Sequence, residues 1–434
     1  MVAHVLNQLS EQDIRVASRV CKAWYFLALP RVYKIVLLKK DSCLKEFSRI
    51  ITGDEDLTSP ISAYIHTLRF QPGLTKRTAG LPFINMVPYV SRLSHLRNLF
   101  WELSFLPENL ELVKALQTQC PLLDNVILRI PDSIDIRSEN GKSRYANLLE
   151  FKNLTYFTLD FFSFPTSARD LELLEPLKTI AVNSPMLERL VVEFRYIPMT
   201  LEHVIFSLGA DFILPCLGNF RLHACLNSDP DDTGLPRPSG SGVDQFLAFL
   251  SRHPCLNQMT LNCPFYVEFY EDFGAGVLAQ ELPRLIHLSG PYFLCEQALQ
   301  YPIGERVRCL SISSWESSLS YENLTDELCL PYLRRLHIEV DDIPRAMEML
   351  ESISPAAEGL EGLYFPVVHH RYHEDFLEIL SHIPRLGDVF LWYDDSHFDN
   401  EDTSSPNGSS RTELMAAMQD KFPELEIKCM GKWE

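Results

Sequence analysis

Apolar residues along this chain recur in one triplet: a first position, a second three residues on, and a third two residues beyond that. The stretch Pro331 to Ile338, with Leu333, Leu336 and Ile338, shows it most plainly. The final spacing of two is that of a strand whose alternate side chains share one face, so each triplet predicts a turn leading into a short strand. The same spacing returns at Ile65, Leu68, Phe70; Leu96, Leu99, Trp101; Leu123, Val126, Leu128; Leu154, Phe157, Leu159; and Leu187, Leu190, Val192. It continues at Leu217, Phe220, Leu222; Leu256, Met259, Leu261; Val307, Leu310, Ile312; Leu360, Leu363, Phe365; and Leu386, Val389, Leu391. One such triplet is expected by chance in a Leu-rich chain, but about a dozen at intervals of roughly 30 residues define an internal repeat. Pro121, Pro185, Pro215, Pro254, Pro331 and Pro384 each stand two residues before a first apolar position. Proline cannot continue a helix and pre-sets a turn, so a helix is expected to end just before each of these strands.

Helical spacing fills the intervals. Glu108 to Gln119 reads as a helix, and Val243, Phe246, Leu247 and Leu250 share one helical face, as do Phe376, Leu380 and Ile383. Asp342 before Ile343-Pro344 reads as a helix cap followed by proline in the first turn. A strand and a helix per repeat predict an α/β solenoid over residues 31–434, a horseshoe with a parallel sheet inside the bend and helices outside. Pro131–Tyr145, Asn227–Gly242 and Asp394–Ser410 interrupt the rhythm with polar residues and are expected to be surface loops.

The first thirty or so residues follow a different pattern. Ser10 followed by Asp13 is a capping box, Leu9 can staple onto Ile14, and a helix is expected to start at Glu11 with Ile14, Ala17, Val20 and Cys21 on one face. Trp24, Leu27 and Ala28 belong to a second short helical segment that Pro30 is expected to close. Val32, Ile35, Leu37 and Leu38 follow as the first strand.

Composition narrows the function classes. A hydrophobic fraction of 46% suits a continuous core. The longest apolar runs fall short of a membrane span, and Met1 to Leu9 lacks the form of a secretory signal, so an intracellular protein of cytoplasm or nucleus is expected, with no membrane partner. The net charge of -19, with no run of basic residues, argues against nucleic acid. The 11 cysteines are scattered without a Cys-x-x-Cys pair, which suggests neither disulfides nor zinc.

Catalytic motifs are missing. Gly141-Lys142-Ser143 ends like a phosphate-binding loop, but Ile136 stands where the earlier glycine is needed. His369, His370, His373 and Glu374 match no zinc-enzyme order and read as residues of a helix start. The sequence therefore predicts no enzyme, no cofactor and no metal. What remains is the set of strand residues between the core positions, which a curved solenoid turns toward its concave face. Phe100, Tyr156, Arg189, Arg221, His223, Arg335, His337, Tyr364, Phe390 and Trp392 are of the types that dominate binding hot spots and are the candidate contacts for a target protein.

Leu9-Ser10-Glu11-Gln12-Asp13-Ile14 followed by Ser18-Arg19-Val20-Cys21-Lys22-Ala23-Trp24 resembles the F-box, and the repeat resembles the irregular intracellular leucine-rich repeat. The whole chain is thus similar to F-box leucine-rich-repeat proteins of the kind abundant in fungi, with residues 1–30 as the F-box-like segment. The Leu-Pro pair that opens the family motif is missing, and Val2, Val5, Leu6 and Leu9 stand for its first helix. The resemblance implies the substrate-recognition subunit of a cullin-RING ubiquitin ligase. Its partners would be a Skp-type adaptor, through it a cullin, and a target protein on the repeats. Val5, Leu6, Leu9, Ile14, Val20 and Trp24 are the residues it offers to the adaptor, some of them needed instead to pack the helices together. The alternative is a repeat scaffold without a ubiquitin role, its N-terminal helices serving only as the cap an open solenoid requires.

Overall fold

The computed structural model describes residues 8–52, 61–130, 139–161, 174–195, 199–224, 242–265, 269, 277–299, 303–314, 330–340, 342–393 and 407–431. The chain divides into two compact units, the first built mainly on residues up to Leu217 and the second mainly on those from Gly218 onward. In the first, β1 (Ile35–Leu38), β2 (Thr67–Phe70), β3 (Asn98–Trp101), β4 (Asn125–Ile130), β5 (Tyr156–Phe161) and β6 (Arg189–Phe194) lie parallel and in chain order. In the second, β7 (Asn219–Ala224) is followed by β8 (Gln258–Asn262), β9 (His287–Pro291), β10 (Cys309–Ser314), β11 (Arg335–Val340), β12 (Gly362–Pro366), β13 (Asp388–Tyr393) and β14 (Glu426–Gly431), again neighbours in chain order. Pairing from β8 through β14 is parallel. Each unit is therefore a solenoid-like α/β stack, with helices described between successive strands other than β10 and β11.

The triplets are the core. Every triplet position is buried except Leu386, which is half-buried. Helix side chains complete the layer behind them: Phe83 lies edge-on to Phe70, Phe249 packs on Phe220 and Phe376 stacks on Phe365. Aromatic pairs at these separations add to the burial of their area.

The proline mark has a specific geometry. The N–H of Leu123 donates to the carbonyl of Cys120 at 3.1 Å, that of Leu187 to Ser184 at 3.0 Å, that of Leu256 to His253 at 3.1 Å and that of Leu333 to Leu330 at 3.1 Å. Each is a four-residue turn with proline second, where its fixed φ fits. The residue before the proline (Cys120, Ser184, His253 or Leu330) is buried, a fourth inward position of the repeat. Successive repeats are then joined by paired donors: the N–H groups of Asp124 and Asn125 both reach the Arg97 carbonyl, and those of Arg334 and Arg335 both reach that of Arg308.

Several expectations need correction. The first helix, α1 (Glu11–Ala17), stops before Val20 and Cys21, because Ser18 Oγ turns back onto the Arg15 carbonyl at 2.8 Å and competes with the helical ladder. The second, α2 (Lys22–Val32), runs past Pro30, its last turn closed by Tyr33 N–H donating to the Leu29 carbonyl at 3.0 Å. Residues 139–145, expected as loop, belong to the helix Glu139–Leu148, which Tyr145 and Leu148 anchor in the core. Residues 407–410 likewise open the helix Asn407–Lys421, anchored by Leu414 and Met418. The rest of those two segments, and 227–241, fall outside the described residues. Asp342 caps the helix Ile343–Ile353 as expected.

Two strands lacked the full triplet. In β9 the third position is Gly290, where a Cβ would stand 3.2 Å from Leu294 in the helix that follows the strand directly. In β14 Ile427 and Cys429 align with Val389 and Leu391, but Glu424 holds the first position.

Candidate functional site

The first surface is carried by α1 and α2. Ser10 caps α1 by accepting from the Asp13 N–H, and its hydroxyl donates to the Asp13 carboxylate at 2.6 Å. Ile14, Ala17, Ala28 and Leu29 are buried. The opposite sides carry apolar residues into solvent: Val16 is 62%, Val20 69% and Phe26 60% exposed, with Leu27 and Tyr25 also exposed. Tyr25 and Phe26 meet edge to face with ring centres 5.6 Å apart. A cleft of about 460 Å³ runs between these helices and β1, lined among others by Arg15, Arg19, Tyr25, Tyr33 and Ile35. Burial and the hydrogen-bonded neighbour Tyr25 push the Tyr33 phenol above its ordinary pKa.

Of the residues offered to the adaptor, Val5 and Leu6 lie outside the described residues. Val20 is exposed, Leu9 and Trp24 are half-buried, and Ile14, 2% exposed, packs inside and presents no surface. Val16, Phe26 and Leu27 are not among the residues offered to the adaptor, although the helical offset of two places Val16 on a different face from Ile14 and Leu27 belongs to the apolar set of the second helix.

The second surface is the sheet face that carries the residues between the core positions. In the first unit most of its large groups pair with each other. The Arg69 guanidinium lies 5.2 Å from the Phe100 ring centre and is held by both oxygens of Glu102, at 2.5 and 2.9 Å. Arg189 covers the Tyr156 ring at 4.6 Å. Asp160, buried, accepts from Arg129 at 3.0 Å and from Arg195 at 3.0 and 3.1 Å.

In the second unit the register brings His337, Tyr364, Phe390 and Lys428 side by side on adjacent strands. His337 and Tyr364 stack at 3.8 Å, Tyr364 and Phe390 at 4.3 Å, and the Lys428 ammonium lies 5.2 Å from the Phe390 ring centre. Burial, then the nearby Arg335 charge, push His337 down to about 4. These half-buried rings spend their faces on one another, leaving their edges for contact.

Trp392 has a separate role. Its indole N–H crosses β12 to donate to the Ile338 carbonyl at 3.1 Å. The N–H of Gly362 donates to the Arg334 carbonyl, so the parallel ladder, advancing by two, would reach Leu336 from Tyr364 and then Ile338 from residue 366. That residue is Pro366, which has no N–H, and Trp392 sits opposite it on β13. The tryptophan supplies the missing donor.

Arg335 is exposed, whereas Arg221 and His223 on β7 are half-buried, Arg221 donating to Asn219 at 3.3 Å. Of the histidines read as a helix start, His369 caps a single helical turn by accepting from Arg371 N–H, and His373 begins the helix His373–Ser381. Among the described residues no group of three or more His, Cys, Asp or Glu is placed to hold a metal, and no helix is long and apolar enough to cross a membrane.

The fold defines a repetitive, solenoid-like α/β protein. No protein-family model matches the chain, and no curated protein matches its sequence.

Proposed function

We propose that this chain is a substrate receptor of a Skp/cullin/F-box type ubiquitin ligase, in which α1 and α2 dock on the adaptor and the leucine-rich repeats hold a target protein. The observation that carries the reading is the set of exposed apolar residues Val16 on α1, Val20 in the turn that follows, and Phe26 and Leu27 on α2, in a helix pair that also buries Ile14, Ala17, Ala28 and Leu29. A pair that served only to cap the repeats would need the buried face alone. Fully burying one such side chain contributes about 1.5 to 3 kcal/mol, so leaving several in water favours a partner that covers them. Ubiquitin transfer would then be the work of other subunits, and this chain would act by holding the target close.

The test is a pull-down of the purified chain with a Skp-type adaptor, comparing the parent with Val20→Asp and Phe26→Asp. Both positions are exposed, so the variants are expected to fold, which an unfolding curve checks. Capture of adaptor by the parent and its loss in the variants supports the reading. A well-folded parent that captures none leaves the repeat scaffold.

A further inference from the structure

The repeat gathers on one rim of the second unit arginines that are far apart in the sequence. Arg284 precedes β9, Arg306 and Arg308 precede β10, and Arg334 and Arg335 stand at the start of β11. Adjacent strands are about 4.8 Å apart, so the three strand backbones that follow or carry these arginines span roughly 10 Å. Arg334 is engaged by Glu361 at 3.0 Å. Arg308 and Arg335 are exposed, and among the described residues neither has a carboxylate within 4.0 Å.

The two are neighbours across the strands, the Arg335 N–H donating to the Arg308 carbonyl at 3.0 Å. His287 on β9 pairs in register with Cys309 on β10, and Cys309 with Arg335 on β11. Burial lowers the pKa of the half-buried His287, and the charges of Arg221, Arg308 and Arg335 lower it further. The floor beside them is low and polar, formed by Ser289 and Ser311 in adjacent register, with the His337 and Tyr364 rings at its side; the Ser289 hydroxyl donates to Asn262 at 3.4 Å and that of Ser311 to the Glu339 carboxylate at 3.5 Å. In a chain of net charge -19, Arg308 and Arg335 are two exposed cations outside the ion pairs of the described residues. At physiological salt, charges beyond about 8 Å are largely screened, so the local cluster governs what approaches closely.

We propose that this rim, around Arg308 and Arg335, binds an acidic segment of a target protein, its Asp or Glu carboxylates pairing with the two guanidinium groups. The inference rests on reading the sheet face as the target surface. Nucleic acid fits less well, because its dense and extended phosphate charge meets the negative remainder of the chain.

The experiment is fluorescence anisotropy with a labelled peptide of alternating Glu and Ser, added to the full chain at low salt. The expected result is saturable binding that weakens as salt is raised. Arg308→Glu with Arg335→Glu is expected to weaken it about tenfold, as for the loss of two rim ion pairs. Arg49→Glu, on the helix Asp41–Thr52 of the first unit, is expected to bind as the parent does. No binding by the parent, or equal binding by the double variant, overturns the proposal. Tenfold tighter binding of an oligonucleotide, or of a phosphoserine peptide of equal charge, overturns the choice of carboxylates. Adaptor capture is read on the same proteins: its retention by a double variant that binds peptide like the parent refutes this inference alone, and its absence in the parent refutes the receptor reading alone.

Discussion

Replacing Trp392 with Phe tests whether its indole N–H stands in for the donor that Pro366 cannot supply. Phenylalanine keeps most of the ring over Pro366 and removes the hydrogen bond to the Ile338 carbonyl. Ile338 is fully buried, so its carbonyl loses its donor where water has little access. An unsatisfied buried group costs about 1 to 3 kcal/mol, and we expect about 1 to 2 kcal/mol here because Trp392 itself is only half-buried. Pro366→Ala returns an N–H to the ladder. Alone it is expected to change little, because Trp392 already occupies the acceptor, but in the Trp392→Phe background it is expected to recover most of the loss. The assay is a double-mutant cycle on urea unfolding free energies, with a coupling of about 1 kcal/mol expected between the two sites. Additive effects, or a Trp392→Phe variant as stable as the parent, would refute the argument.

Three further outcomes follow from the same geometry. Asp160→Asn weakens both ion pairs of a buried carboxylate and is expected to cost about 2 kcal/mol in urea unfolding, whereas Arg49→Ala, which breaks an exposed pair with Glu46, is expected to leave the midpoint unmoved. An unfolded histidine titrates near pH 6.5, and His337 is held at about 4. Between those values the unfolded chain binds the proton and the folded chain does not, so this stabilising contribution is lost as pH falls from about 6.5 to about 4. His337→Phe keeps the stack on Tyr364 and is expected to flatten the decline in unfolding free energy between about pH 7 and about pH 5; an unchanged slope contradicts the assignment. Phe26→Ala removes about 1 to 2 kcal/mol of apolar burial from a docked complex, so adaptor affinity is expected to fall about tenfold while the unfolding midpoint stays.

What the sequence makes legible is what one side chain can announce alone. Leu333, Leu336 and Ile338 are inward because a strand of period two must bury one face, and the same holds for each copy. β9 escaped notice because Gly290 holds its third position, vacated for Leu294, and only the following helix explains that. Helix ends set by Ser18 turning on Arg15 depend on one hydrogen bond, which spacing does not reveal. The bond from Trp392 to Ile338 joins residues 54 apart in the chain. An isolated tryptophan between core positions therefore reads as a contact residue, and so do the stacked rings of Tyr364 and Phe390. Of the arginine rim only Arg335 stands out in the sequence, for the complementary reason: its members never form a long basic run, and aligning the copies on their first apolar position is the reading that collects them.

The most direct test of the receptor account is calorimetric titration of a Skp-type adaptor into the purified chain at several temperatures. The account predicts a one-to-one complex with a negative heat-capacity change, the mark of apolar burial, that Val20→Asp with Phe26→Asp abolishes without loss of fold. A well-folded parent that gives no binding heat at any temperature and no complex on a sizing column contradicts it.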